Sequence, residues 1–216
     1  MRKWFWVMLG VGLIAATAVA QEPRNLGLLK RELYAYVESG SYQRDIAVVA
    51  KDAAAWIERR AAQAKPGERF AVVFDLDDTL WSGWSELSGF DFGWNEASWA
   101  AWIAAAKAPA IEPVAAVYRL AQRRGVAVIF LSTRRESQRA DTVRNLKAVG
   151  CAESAALVLQ PDGDKRTAAA FKTAERQRLV AEGYVIIANV GDQASDLVGG
   201  FAEKTFKVPN PFYLTE

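Results

Sequence analysis

Three carboxylates fall within four residues at Asp75-Leu76-Asp77-Asp78, straight after the apolar run Phe70-Ala71-Val72-Val73-Phe74. In an extended chain positions 75 and 77 project to the same side. Two carboxylates placed that way can share a metal ion and a phosphate. The same residues would also suit a polar turn with a helix N-cap. Asp192 and Asp196 follow another apolar run, after Asn189-Val190-Gly191, where the glycine would permit a sharp turn. Asp192 could instead cap a helix, and Asp196 could lie on a solvated helical face. Ser132-Thr133-Arg134 closes a third apolar run, and a hydroxyl there can donate to a phosphate oxygen. Lys172 lies between these segments; alone it would read as surface. Together they gain meaning. Asp75 and Asp192 at neighbouring strand ends, with a backbone carbonyl and water, suit Mg²⁺, which takes oxygen ligands and keeps several waters. Phosphoryl transfer needs positive charge around the equatorial oxygens and an in-line nucleophile. Mg²⁺ and Lys172 would supply the charge, and a carboxylate the nucleophile.

What the chain lacks is equally informative. It contains no histidine, so it has no Ser-His-Asp triad, no His-ligated zinc and no phosphohistidine. Cys151 stands alone in Gly150-Cys151-Ala152-Glu153 and reads as a small structural residue. Net charge is +2, and with Arg2 and Lys3 set aside Lys+Arg and Asp+Glu balance at 25 each. A neutral body argues against gripping a nucleic acid polymer or an anionic membrane.

The elements that must position these groups follow from apolar periodicity. Residues 1–20 read as a secretory signal: Arg2 and Lys3, an apolar run from Trp4 to Ala16, and a small-x-small site at Ala18-Val19-Ala20. No cysteine lies near the cut for lipid attachment, so the expectation is a periplasmic or secreted protein without stable membrane association. The alternative is an uncleaved anchor. Helical spacing marks Leu26 to Val37, Asp45 to Gln63, Pro113 to Arg124, Ser137 to Val149 and Thr167 to Ala181. Unalternating apolar runs mark strands at Arg69 to Leu76, Val126 to Leu131, Ala155 to Leu159 and Tyr184 to Val190. Buried strands alternating with helices indicate an α/β fold with a parallel sheet covered on both faces. Ligands of such sheets bind at the carboxyl ends of the strands, where the polar residues cluster. The stretch 81–107 interrupts the alternation with five tryptophans, Trp81, Trp84, Trp94, Trp99 and Trp102, and should form a small cap over the strand ends. Residues 21–216 would then make one domain.

These segments resemble the four motifs of the haloacid-dehalogenase (HAD) superfamily in its phosphatase form: Asp75-x-Asp77-x-Thr79, Ser132, Lys172, and Gly191-Asp192 through Asp196. Within it, the chain is similar to the secreted acid phosphatases that include plant vegetative storage proteins and bacterial relatives. Ser39-Gly40-x-Tyr42, Pro109-Ala110-Ile111, Asn145-Leu146, Phe171-Lys172 and the closing Phe206-Lys207-Val208-Pro209-Asn210-Pro211 extend the likeness over nearly the whole chain after residue 20. Two departures stand out: Asp78 where relatives often carry Glu, and Ser132-Thr133-Arg134 where they often carry Thr-Gly-Arg. The resemblance implies a three-layer Rossmann-like fold and roles for each residue. Asp75 attacks phosphorus. Asp77 protonates the leaving oxygen, then activates water, and its main-chain carbonyl touches Mg²⁺. Asp192 ligates the metal and Asp196 supports it. Ser132, taken as the motif residue in preference to Thr133, and Lys172 hold the phosphoryl group. Arg134 is read as structural.

Rival readings are a dehalogenase, a phosphotransferase and a storage or binding protein with a vestigial site. An acid at position 77 favours an alkoxide over a halide leaving group, and complete motifs count against a vestigial site. The expected substrate is a small phosphate ester. Trp81 and Trp84, nearest Asp77 in sequence, would line the pocket mouth and favour aromatic or nucleotide esters.

Overall fold

The computed structural model describes residues 22–215; residues 1–20, expected from sequence to be a secretory signal, lie outside them. Among the described residues no helix is long and apolar enough to cross a membrane. Five parallel strands form one sheet in the order β3-β2-β1-β4-β5. They are β1 (Arg69–Phe74), β2 (Ala127–Arg135), β3 (Ala156–Gln160), β4 (Tyr184–Gly191) and β5 (Thr205–Lys207). The helices are α1 (Leu26–Glu38), α2 (Ser41–Ala61), α3 (Trp84–Gly89), α4 (Glu96–Ala105), α5 (Glu112–Arg123), α6 (Arg139–Ala148), α7 (Ala168–Ala181) and the single turn α8 (Ala194–Leu197). The expected α/β architecture is the one observed.

The central strand explains why its sequence does not alternate in polarity. Phe70, Val72 and Phe74 of β1 pack into one core with α2 and α5, while Ala71 and Val73 pack into a second with Phe171 and Leu179 of α7. Both sides of the strand are covered, so both must be apolar. The pairing of β1 with β4 slips between Ala71 and Val72, whose partners are Ile186 and Ala188. Ile187 is thus an extra residue, a bulge that leaves its carbonyl out of the ladder. Trp56 of α2 donates its indole N–H to that carbonyl at 2.7 Å. A buried orphan acceptor would cost about 1–3 kcal/mol, and a helix side chain removes the cost.

The observed elements depart from the expected ones in three notable places. Helix α2 begins at Ser41 rather than Asp45, behind Gly40 in the left-handed conformation (φ 72°). The helix expected from Ser137 is split into a short 3₁₀ turn (Glu136–Gln138) and α6. Strand β5, three residues long, had no sequence expectation. The tryptophan-rich stretch carries α3 and α4, and α1 packs on it through Tyr34, whose hydroxyl donates to the Ser88 carbonyl at 3.1 Å.

Candidate active site

Asp75 follows the last residue of β1, and Asp192 the last residue of β4, its hydrogen-bonded neighbour. The Asp75 amide continues the ladder by donating to the Val190 carbonyl at 2.9 Å. The two acids therefore emerge together because two buried strands end together. Carboxylate oxygens of Asp75, Asp192 and Asp196 lie within 4.8 Å of one another, and all three residues are buried. Gly191 has a role other than the sharp turn expected for it. A Cβ there would stand 2.5 Å from the Cβ of Asp196, so only glycine lets the Asp196 side chain cross the end of β4.

Lys172 projects from α7 into this cluster and donates to both Asp75 Oδ1 and Asp196 Oδ1. It is 3% exposed. Burial alone would lower the Lys172 pKa, but the two carboxylates outweigh it and raise it, so the lysine stays charged. Burial raises the Asp75 pKa well above the usual carboxylate range; Lys172 pulls the other way, and the charges of Asp196 and Asp192 add to the rise. Asp192 is raised for the same reasons, burial first and Asp196 second. Three carboxylates against one ammonium leave a buried surplus of negative charge. Oxygen donors only, with such a surplus, fit a hard divalent cation. Asp192 is aimed by Thr79 Oγ1 at 2.8 Å on one oxygen, and by Gln193 Nε2 and Asn210 Nδ2, each at 2.7 Å, on the other.

Asp77, Ser132 and Thr133 line the same cavity as Asp75 and Lys172. Asp77 accepts from the Arg134 Nε and Nη2 at 2.8 and 2.7 Å and from the Trp81 indole N–H at 2.8 Å. Arg134, read from sequence as structural, thus touches a cavity carboxylate. The Ser132 hydroxyl accepts from the Arg134 amide at 3.2 Å. Residues 75, 77, 132, 172, 192 and 196, scattered over more than half the chain, meet in one small cavity at the carboxyl edge of the sheet.

The model of subfamily IIIB of the HAD superfamily, the acid phosphatases, matches residues 15–216. The chain is 35% identical over 199 residues to vegetative storage protein 1 of Arabidopsis thaliana, covering 88% of this chain and 73% of that one. Acid phosphatase 1 of Solanum lycopersicum is 34% identical over 65% of this chain and 57% of its own length. The class C acid phosphatase of Bacillus anthracis shares the fold with a TM-score of 0.71 at 22% identity, over 87% of this chain and 86% of that one. The chain belongs to the subfamily IIIB acid phosphatases. It is a phosphatase, acting on phosphate monoesters.

In this acid phosphatase the tryptophans are placed otherwise than expected. Trp81 is fully buried, and its contribution to the site is the hydrogen bond to Asp77 rather than an open indole face. Trp84 packs among Tyr34, Phe92 and Phe212, with ring centroids 5.3–5.9 Å apart. Neither lines the cavity. Trp102 does not line it either, but packs near Arg134. Its centroid lies 5.4 Å from the Arg134 guanidinium carbon, and Trp99 stacks on it at 4.7 Å.

The acid phosphatase also uses groups without a local sequence signal. Tyr213 and Thr215 of the C-terminal segment line the cavity, held by Ser195 Oγ on the Thr215 carbonyl at 2.8 Å. Asp78, fully buried at φ 56°, accepts from the Gly83 amide and the Tyr213 hydroxyl at 2.8 and 2.9 Å, joining the start of α3 to that segment. Burial, then the charge of Asp192, pushes the Asp78 pKa up to about 7. The folded metal-free protein thus keeps this proton up to about pH 7, whereas the unfolded chain releases it near 3.8. The Asp78 contribution to stability is full below the unfolded value and is lost as pH rises through the folded one. About 4 kcal/mol is its ceiling. With EDTA present, the wild type should lose more stability to urea between pH 4 and pH 8 than Asp78→Asn does. Equal pH slopes in the two proteins would contradict this.

Proposed function

We propose that this acid phosphatase works through a phosphoryl-aspartate on Asp75, assisted by Mg²⁺. The reading is carried by one observation: the oxygens of Asp75, Asp192 and Asp196 converge, with Lys172 among them, at the end of β1 and β4. Asp75, Asp192 and the Asp77 main-chain carbonyl would hold the cation, with Asp196 aiding from beside them. When bound, Mg²⁺ offsets the surplus negative charge and polarises the phosphoryl oxygens.

In the first step an Asp75 carboxylate oxygen forms the bond to phosphorus as the ester P–O bond breaks. Asp77 gives its proton to the leaving oxygen, so the alcohol departs neutral. Ser132 and Lys172 hold the phosphoryl oxygens while charge develops. In the second step Asp77, now a carboxylate, takes a proton from the water that attacks phosphorus. Inorganic phosphate leaves and Asp75 is restored. Attack by an alcohol instead of water would make the same site a phosphotransferase; the storage-protein alternative loses ground because every one of these groups is present.

Small esters suit the narrow cavity between Asp75, Ser132 and Lys172. Export is supported by the charged start and apolar run of residues 2–20. A panel of phosphate esters, assayed after chelation and after metal is returned, tests the whole reading. EDTA should abolish turnover and Mg²⁺ restore it. Full activity in EDTA, or restoration by zinc alone, would sink the metal assignment.

A further inference from the structure

Arg134 is 5% exposed, and its guanidinium is spent on Asp77 rather than on the metal-binding carboxylates. Lys172 already serves Asp75 and Asp196. The guanidinium carbon lies 4.7 Å from the Trp81 ring centroid and 5.4 Å from that of Trp102. Thr142 Oγ1 accepts from its Nη1 at 3.3 Å. A planar guanidinium packed against two indoles has little room to turn, and a two-pronged bond fixes the plane of the carboxyl it meets.

The donors are also distributed unevenly over that carboxyl. Arg134 Nη2 and the Trp81 N–H both bind Oδ1, whereas Oδ2 receives Arg134 Nε alone. Each carboxylate oxygen offers two lone-pair directions. Oδ1 is filled, and one direction remains on Oδ2. We propose that Arg134 is a positioning residue that aims Asp77 for proton transfer, with Oδ2 as the oxygen that carries the proton to the departing alcohol. The proposal rests on the reading of Asp77 as the general acid.

A positioning role has a signature that a plain ion pair lacks. The value of kcat/KM reports steps up to departure of the leaving group. An alkoxide needs the proton of Asp77; 4-nitrophenolate leaves without it. General acid catalysis commonly contributes about 10²–10⁴-fold. Arg134→Gln should therefore lower kcat/KM for glycerol phosphate by about 100-fold or more, and for 4-nitrophenyl phosphate by less than about tenfold. Asp77→Asn should show the same selectivity, and the double variant should be no worse than Asp77→Asn on glycerol phosphate. Arg134→Lys, which keeps the charge but loses the fork, should fall between wild type and Arg134→Gln. If Arg134→Gln does not fold, Trp102→Leu frees one face of the guanidinium and must show the selective loss in milder form. Equal losses on both esters for Arg134→Gln, or for Trp102→Leu in its place, would overturn the proposal while leaving the acid standing. Equal losses for Asp77→Asn would instead remove the acid role on which it depends.

Discussion

Asparagine in place of Asp75 leaves a folded protein that no longer turns over phosphate esters. The amide keeps the shape of the side chain but cannot form the bond to phosphorus. Losing a covalent nucleophile costs several orders of magnitude in rate, about 10⁴-fold or more. Stability should hold, because one of three crowded buried carboxylates becomes neutral while Lys172 keeps Asp196. Steady-state kinetics and a urea melt on the same preparation check both halves. Retention of more than about a tenth of the activity would assign the nucleophile elsewhere.

Lys172→Met should produce the largest loss of stability. The ammonium is buried against Asp75 and Asp196, with side-chain exposures of 4%, 9% and 5% in that order. Removing one partner of a buried ion pair typically costs about 3–5 kcal/mol, because the charges left behind have no counterion. Here three carboxylates would remain. Turnover should fall by at least about 10²-fold as the phosphoryl oxygens lose a cation. The two losses should separate on adding Mg²⁺: a divalent cation can shield the carboxylates and return much of the stability, but it would not replace the ammonium proposed to hold the phosphoryl group. A variant with wild-type stability in EDTA would contradict the charge balance described for the cluster.

The sheet and the carboxylates that converge at its edge were legible in the sequence because each depends on neighbours close in the chain. Phe70 to Phe74 and Tyr184 to Ala188 are long apolar runs, and the acids that follow them mark where a buried strand reaches the cavity at the sheet edge. Strand β5 was not legible because three residues, with Phe206 alone buried, carry no period. Trp81 misled for a physical reason. It is four residues from Asp77, yet its amide bonds back to the Leu76 carbonyl at 3.2 Å, and the tight turn sends its ring into the core. Arg134 and Asn210 lie in segments the sequence marked, but nothing local said what they touch. Their partners, Asp77 and Asp192, lie 57 and 18 residues away, and only the folded chain brings them within hydrogen-bond range. The acids and the lysine that meet in the cavity announced themselves by type and spacing; the side chains that hold them in place are found through contacts.

Covalent catalysis at Asp75 is tested most directly by trapping. Asp77→Asn, given 4-nitrophenyl phosphate and Mg²⁺, should still pass the first step because the leaving group needs no proton, but should stall at the second for want of a base. Acid quenching during turnover, reduction with borohydride and peptide mass spectrometry would locate any acyl phosphate as homoserine. Homoserine at position 75, absent without substrate and absent in the Asp75→Asn protein, is the expected result. Release of 4-nitrophenol with Asp75 unmodified, or with the label on another carboxylate, would contradict it.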